Sequence, residues 1–470
     1  MKKQLTDINE KVLTLRDTEW QYRGEGNANL VLSLPQQRCV LRLRKHDSDH
    51  YVNHTDSTTD VHIDIASREA LFCRMVMVPL LGEAYIQPPA VVVLDQREVE
   101  QLEGALHSHR PSHRNHKGIY SHPCLTYGML FPDYALLPPT LSPVSMPHCT
   151  PTFCLEVKPK QGWVPEADRH LPRCTFCLNQ FLKLRKGAIQ KLSHYCPLDL
   201  FSGDAGRAHH ALESLLASPQ NNLKIFRDGV LVYGDGDEGT DRLELVLREW
   251  VGDRDGKNSV KWLVKKMCAL VWDVLTCSLE VSKRPMANPL LGELEPLQNK
   301  GERVPSALMA AVTSLLPPKS CDWSAVPLPE NSILARVLNV QQLEQIGADC
   351  VYWDYITNKH HGEYDYLQEL VGGNICGRTP LQRYLLATTA KDCSIMLAFQ
   401  RFEGNLNGVP LLPTKHVISD LDLQKYIFNV GVSDLDPKPA SCVEKHRKRD
   451  CEVLTACLEI LQCGSFGVSV

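Results

Sequence analysis

The chain reads as an α+β protein in two unequal parts: residues 1–135, built around an antiparallel sheet, and residues 136–470, larger and mixed. Three observations point there. At 470 residues and 43% hydrophobic composition, the chain can bury a large core and is too long for one typical domain. Short apolar runs bounded by turn residues recur among longer segments of helical length, so strands and helices are interspersed. Near residue 135, an apolar stretch passes into the proline-rich 138–151, a composition suited to a connection between the parts.

Taken in order, residues 30–34 and 39–43 are apolar runs separated by Pro35, Gln36, Gln37 and Arg38, which predicts a β-hairpin. Residues 46–60 are polar and read as a loop, 66–78 as a helix and 87–94 as another strand. The stretch 107–122 holds His107, His109, His113, His116 and His122 with neither helical nor strand period, and reads as a solvated loop. A strand follows at 154–160, then a helix at 175–186 ended by Gly187, and an amphipathic helix at 207–217. Leu223–Phe226 and Val230–Tyr233 flank Asp228 and Gly229, a dipeptide suited to a tight primed hairpin turn. Residues 259–281 read as a long helix, and 282–329, rich in proline and polar residues, as an insertion. A helix at 379–389, tolerating Pro380 in its first turn, leads to strands at 393–399 and 426–432.

Cys174 and Cys177, three apart, can both reach one tetrahedral ion; Cys196 follows nineteen positions later, and His170 lies near enough to join. A structural zinc site of these four is the reading, with His194 able to replace His170 or Cys196. The alternative is a set of helix-face thiols packed in the core.

Lys158 and Lys160 alternate with Val157 and Pro159, so an extended segment would project both amines to one face. Asp392 offers a carboxylate on an apolar strand. Cations and an acid together suit phosphoryl transfer, in which cations offset charge on the moving group and an acid holds magnesium or orients the hydroxyl. Taken alone, the lysines read first as an edge strand in water. Further cations gather at 42–45, 110–117, 183–191 and 438–448.

The segments Gly24-Glu25-Gly26-Asn27, Cys39-Val40-Leu41-Arg42, Glu156-Val157-Lys158-Pro159-Lys160, Tyr195 to Gly203, Pro219 to Leu223, Ala390 to Met396 and Asp434 to Pro439 follow one another as in the inositol-pentakisphosphate 2-kinases, which this chain resembles over nearly its whole length. The resemblance implies a two-lobed, kinase-like fold that transfers the γ-phosphate of ATP to the 2-hydroxyl of inositol 1,3,4,5,6-pentakisphosphate. On the nucleotide side it implies Gly24, Glu25, Gly26 and Asn27 over the phosphates, with Arg42, Asp133 and Glu156. Lys224 stands where the family has an arginine, a point charge in place of a fork. It also implies magnesium on Asp434, Asp392 accepting the hydroxyl proton or sharing the metal, and Lys158 offsetting charge on the transferring group. The substrate side is Arg114, Lys158, Lys160, Lys183, Asn221, Asn222 and Lys438, with one or more of Lys445, His446, Arg447 and Lys448 to follow. A ring with five phosphates requires about that many cationic groups.

The alternatives are an inositol-polyphosphate-binding protein without activity and a zinc-bearing nucleic-acid binder. Asp392 and Asp434 both being present favours the enzyme. A formal net charge of −4 and the lack of a base-stacking aromatic motif disfavour nucleic acid. No apolar run approaches the roughly 18 residues of a membrane helix and no leader is evident, so the expectation is a monomer in the cytosol or nucleus, its 18 cysteines reduced.

Overall fold

The computed structural model describes residues 11–463 apart from 27, 48–57, 115–116, 120–124, 142–149, 166–168, 170, 238–240, 254, 280–305, 317–325, 358–361, 374–376, 378 and 403–412. It is an α+β structure with two sheets. The first holds β1 (Lys11–Val12), β2 (Gln21–Glu25), β3 (Asn29–Leu34), β4 (Cys39–Asp47), β5 (Ala90–Asp95), β6 (Lys117–Ile119) and β7 (Leu125–Pro132). Its order is β1-β5-β7-β4-β3-β2 with β6 on β4, antiparallel except for β1 beside β5. The second holds β8 (Thr152–Val157), β9 (Leu223–Arg227), β10 (Val230–Tyr233), β11 (Ser394–Arg401), β12 (Val417–Ser419) and β13 (Lys425–Ser433), in the order β10-β9-β8-β11-β13-β12 and antiparallel throughout.

Strand alternation sorts the side chains. In β4, Leu41 and Leu43 enter a small core with Leu30, Leu32 and Leu34. Arg42 and Arg44, one residue out of phase, leave by the opposite face. In the second sheet, Phe153, Leu155 and Val157 of β8 join Ile395, Leu397 and Phe399 of β11 and Phe428, Val430 and Val432 of β13 in the large core. Residues 72–86, including Phe72, Met77, Leu81 and Tyr85, pack into this same core. The other face carries Cys154, Met396, Ala398 and Phe226, with Ala135 and Leu137 laid against them.

One constraint follows from the register. Val157 pairs with Leu223 and Ile395, and Ile395 with Val432. Because neighbouring strands run oppositely, β8 and β13 end where β9 and β11 begin. Lys158, Asn222, Ser394 and Asp434, scattered through the sequence, therefore meet at one rim.

Helices depart from expectation in instructive ways. The segment 66–78 is longer, running Thr58–Phe72, a π-turn Cys73–Met77 and Val78–Leu81. The 379–389 helix extends to Pro380–Asp392, its start fixed by a box in which the Thr379 hydroxyl accepts from the Gln382 N–H and the Gln382 side chain answers. Asp392 is thus the end of a helix and not part of a strand. Within the stretch read as an insertion, Ser306–Leu315 is helical and its Val312 is fully buried. Helices at Arg242–Val251, Ile333–Gln341, Gly347–Thr357 and Cys442–Cys463 were not anticipated. The 223–233 hairpin turns as expected, with Asp228 and Gly229 at φ 48° and 81°, both positive as a type I′ turn requires.

Gly431 of β13 makes room for Tyr134: a Cβ there would lie 2.1 Å from the Tyr134 ring. Tyr134 also accepts the Gln87 N–H at 2.8 Å and stands next to Asp133. Gly431→Ala should therefore lower stability by about 1–3 kcal/mol, the usual cost of overpacking. Chemical denaturation measures it, and an unchanged midpoint would contradict this packing.

Candidate active site

At the rim, β8 gives way to Lys158 as its backbone N–H donates to the Asn222 carbonyl at 2.8 Å. Two residues on, Lys160 adopts φ 58°, and Asp434, just past β13, adopts φ 60°. Left-handed backbone at a non-glycine residue costs about 1–2 kcal/mol. Here it turns both side chains off the strand line. Each of the two lysines engages a different carboxylate.

Lys158 donates to Asp434 at 2.6 Å and lies 4.0 Å from Glu156. The Ser394 hydroxyl sits 2.9 Å from both Glu156 and Asp434, and Lys224, directly across the sheet from Glu156, approaches its carboxylate at 3.5 Å. From the first sheet, Arg42 places two N–H groups on Asp436 at 2.8 and 2.6 Å and lies 3.8 Å from Asp434. Asn29 also donates to Asp436, at 3.2 Å. The second group forms around Asp392, which receives Lys438 at 2.8 Å and Lys160 at 3.6 Å. Between Arg42 and the acids runs a cleft lined also by Glu69, Gln87, Phe131 and Leu435.

The charges hold one another. Desolvation would raise the Asp434 carboxyl, but Lys158, Arg42 and the Ser394 hydrogen bond outweigh it and keep it far below the ordinary carboxylate range. Asp392 behaves alike, brought to about 2 because Lys438 and Lys160 overcome its desolvation. An acid at the C-terminus of a helix is unfavourable to the helix dipole, and these cations offset that cost. Lys158 is raised, its burial overcome by Asp434 and Glu156. Lys160 is lowered: burial dominates, and Lys158 and Lys438 add to it against Asp392. Lys183 is lowered as well, by burial and by Lys160.

The other expected residues distribute as follows. Asn222 is buried, its side-chain oxygen without a hydrogen-bond partner among the described residues, while Asn221 is exposed. Asp133 is buried, accepting from Arg23 at 2.5 Å and from Ser33 at 3.3 Å. Gly24 and Glu25 belong to β2, and the Glu25 carboxylate is enclosed by Lys45 at 2.5 Å and Arg110 at 2.9 Å. That pairing commits the Glu25 side chain to the fold, and the Gly26 N–H is occupied by the Asn29 carbonyl. Arg114 stands at this end, its carbonyl accepting from Arg110. Asn27 and His170 lie outside the described residues. The reading from sequence passed over Asp436, Ser394 and Asn29; the first two fall inside quoted motifs, where an acid and a hydroxyl at the ends of strands were signal enough.

The thiols of Cys174, Cys177 and Cys196 converge, with Cys174 3.3 Å from Cys177 and 3.8 Å from Cys196. All three sulfurs lie within 4.8 Å of one another. Sulfurs sharing one tetrahedral zinc would stand about 3.8 Å apart, given Zn–S bonds of ~2.3 Å. His194 is exposed and is not part of the group. No helix among the described residues is long and apolar enough to cross a membrane.

Cations interleaved with carboxylates around a cleft between two sheets define a phosphotransferase, the class whose chemistry consists of charge neutralisation and alignment. Residues 22–452 match the inositol-pentakisphosphate 2-kinase family, and the chain belongs to it. It is 28% identical to the inositol-pentakisphosphate 2-kinase of Danio rerio, over 95% of this chain and 94% of that one. To the protein of that name from Arabidopsis thaliana it is 24% identical, over 95% of each chain. To the Drosophila melanogaster one it is 27% identical, over 51% of this chain and 53% of the relative.

The pairings give stability a direction with pH. Asp392 and Asp434 have folded values below the ordinary unfolded value of about 3.9, so their contribution is complete above roughly pH 4 and is lost as pH falls through the folded values. The urea midpoint of wild type should fall more steeply between about pH 4.5 and 2.5 than that of Asp392→Asn. Parallel curves would contradict the pairing.

Proposed function

We propose that this site transfers the γ-phosphate of ATP to the 2-hydroxyl of inositol 1,3,4,5,6-pentakisphosphate, giving inositol hexakisphosphate (phytate), and that residues 1–135 and 136–470 act as the two lobes of a kinase-like fold in a monomer of the cytosol or nucleus. The observation that carries it is the separation of two cation–carboxylate groups along one rim. Arg42 and Asp434 line the cleft and Lys158 pairs with Asp434, while Lys160 and Lys438 pair with Asp392 in a second group.

On this reading the cleft takes the nucleotide. Arg42 exchanges Asp436 for phosphate oxygens, Asp133, Glu156 and Lys224 face the nucleoside side, and the segment Gly24, Glu25, Gly26 and Asn27, from the end of β2 onward, covers the phosphates. Asp434 is the acid to hold magnesium, a hard cation suited to carboxylate oxygen, with Asp392 near enough in role to share it. The ion, when bound, neutralises charge across the β- and γ-phosphates. Lys158 stabilises the transferring group. Asp392, ionised at neutral pH, accepts the proton of the attacking hydroxyl and orients it. Lys160, Lys183, Asn221, Asn222, Lys438 and Arg114 hold the ring phosphates. Of the basic run after Lys438, Arg447 is stacked over Tyr352 at 4.3 Å and Lys448 pairs with Glu444 at 2.8 Å, whereas His446 bonds Tyr384 at 2.8 Å and is lowered, after burial, by Arg449, Lys391 and Lys438.

Asp392→Asn removes the counter-charge of Lys160 and Lys438 without removing a cation. Turnover should fall at least ~100-fold while calorimetry shows pentakisphosphate binding retained or tightened. A variant keeping more than about a tenth of the wild-type rate would remove Asp392 from the chemistry.

Cys174, Cys177 and Cys196, with His170 as fourth ligand, are proposed to hold a structural zinc that anchors the helix carrying Lys183. Elemental analysis should give about one zinc per chain. Cys174→Ser should lower metal content and melting temperature together. Metal-free protein from a preparation without chelator would refute the site.

A further inference from the structure

Lys224 and Phe226 of β9 are two residues apart, so strand alternation puts both on the face of the second sheet that carries Glu156. Lys224 pairs with Glu156 and Phe226 with Cys154, which sets the Phe226 row roughly 7 Å further from the rim of Lys158 and Asp434. That deeper row is apolar, with Ala135 and Leu137 laid against Cys154 and Phe226. Arg23 of β2 reaches it from the first sheet. Its guanidinium carbon stands 4.9 Å from the centre of the Phe226 ring, and Nη2 donates to Asp133 at 2.5 Å. Gly229, in the turn after β9, closes the socket: a Cβ there would lie 3.4 Å from both Nη1 and Nη2.

The Asp133 carboxylate is committed at this spot. Its Oδ2 accepts from Arg23 and, at 3.3 Å, from the Ser33 hydroxyl, while its Oδ1 accepts the Ala135 N–H at 3.0 Å. The spare capacity belongs to Arg23. Its Nη1 is buried and, among the described residues, has no hydrogen-bond partner. A donor that has lost water without gaining an acceptor is unfavourable, and a ligand that brings the acceptor relieves it. The fork is also held ready, one nitrogen on a carboxylate and its plane against a ring. A purine carries ring nitrogens at its edge that accept such a bond.

We propose that Arg23 donates its free N–H to an acceptor nitrogen of the ATP purine and so sets which base the cleft prefers. The assignment rests on the nucleotide reading of the cleft above and names the residue that reads the base. Asp133 then acts through Arg23, by fixing the fork. Arg23 directly precedes the Gly24 to Asn27 segment, so the contact to the base and the cover over the phosphates are set by one stretch of chain.

Calorimetry with ADP and with CDP on the full-length protein, in magnesium, reads the base contact apart from turnover and from the phosphates, which the two ligands share. Arg23→Ala should weaken ADP about tenfold and CDP less than about twofold, so that the preference for ADP shrinks by most of that factor. Arg23→Lys keeps a cation for Asp133 and should bring the urea midpoint back towards wild type while ADP stays weakened. Equal losses for ADP and CDP, undiminished ADP affinity in Arg23→Ala, or ADP affinity restored in Arg23→Lys together with the midpoint would each overturn the proposal. Wild type that binds ADP with this dependence on Arg23 but phosphorylates no inositol phosphate would end the kinase reading and leave the base contact standing. Wild type that binds neither nucleotide would end both.

Discussion

The alignment of four antiparallel strands at one rim of the second sheet is the constraint on which the rest of this structure depends. Leu223, Val157, Ile395 and Val432 stand in one row, so the residues just beyond them are brought together whatever their distance in sequence. A slip of one residue would exchange the two faces of a strand, turning Glu156 into the large core and Phe153 and Leu155 out of it. The apolar row that feeds the large core thus fixes the polar row that forms the site. Packing and chemistry are specified by the same alternation.

The charges at that rim are better understood as preparation for a ligand than as stabilising bonds. Partly buried ion pairs recover little net stability against their desolvation, and aliphatic replacements of similar volume are often as stable. What the arrangement provides is a set of cations with removable partners. Asp436 holds the Arg42 fork in two hydrogen bonds, Asp434 holds Lys158, and Asp392 holds Lys438. A polyanion and its metal would redistribute those pairings. The left-handed backbone at Lys160 and Asp434 belongs to the same economy, since it aims two side chains that a continuing strand would have sent elsewhere.

Much of this was legible in the sequence, because its signals are local. Asp228-Gly229 dictated a hairpin, and Pro380, suited to a first turn, went with a helix that begins there. The cysteine spacing brought three thiols together. Other features have no local signal. The Arg42–Asp436 pair spans 394 positions and depends on two sheets meeting. Asp392 seemed strand-borne because the apolar run after it begins only two residues later. Helix Cys442–Cys463 opens with a dense run of charge that obscures its period. Glu25 was read as part of a phosphate-covering turn on its glycine neighbours, and its enclosure by Lys45 and Arg110 comes from segments 20 and 85 residues away.

The account stands most directly on one assay. Purified protein incubated with ATP, magnesium and a panel of inositol phosphates, the products separated by charge, should convert inositol 1,3,4,5,6-pentakisphosphate to the hexakisphosphate with stoichiometric formation of ADP. No product from the pentakisphosphate, or phosphorylation confined to isomers that already carry the 2-phosphate, would contradict it.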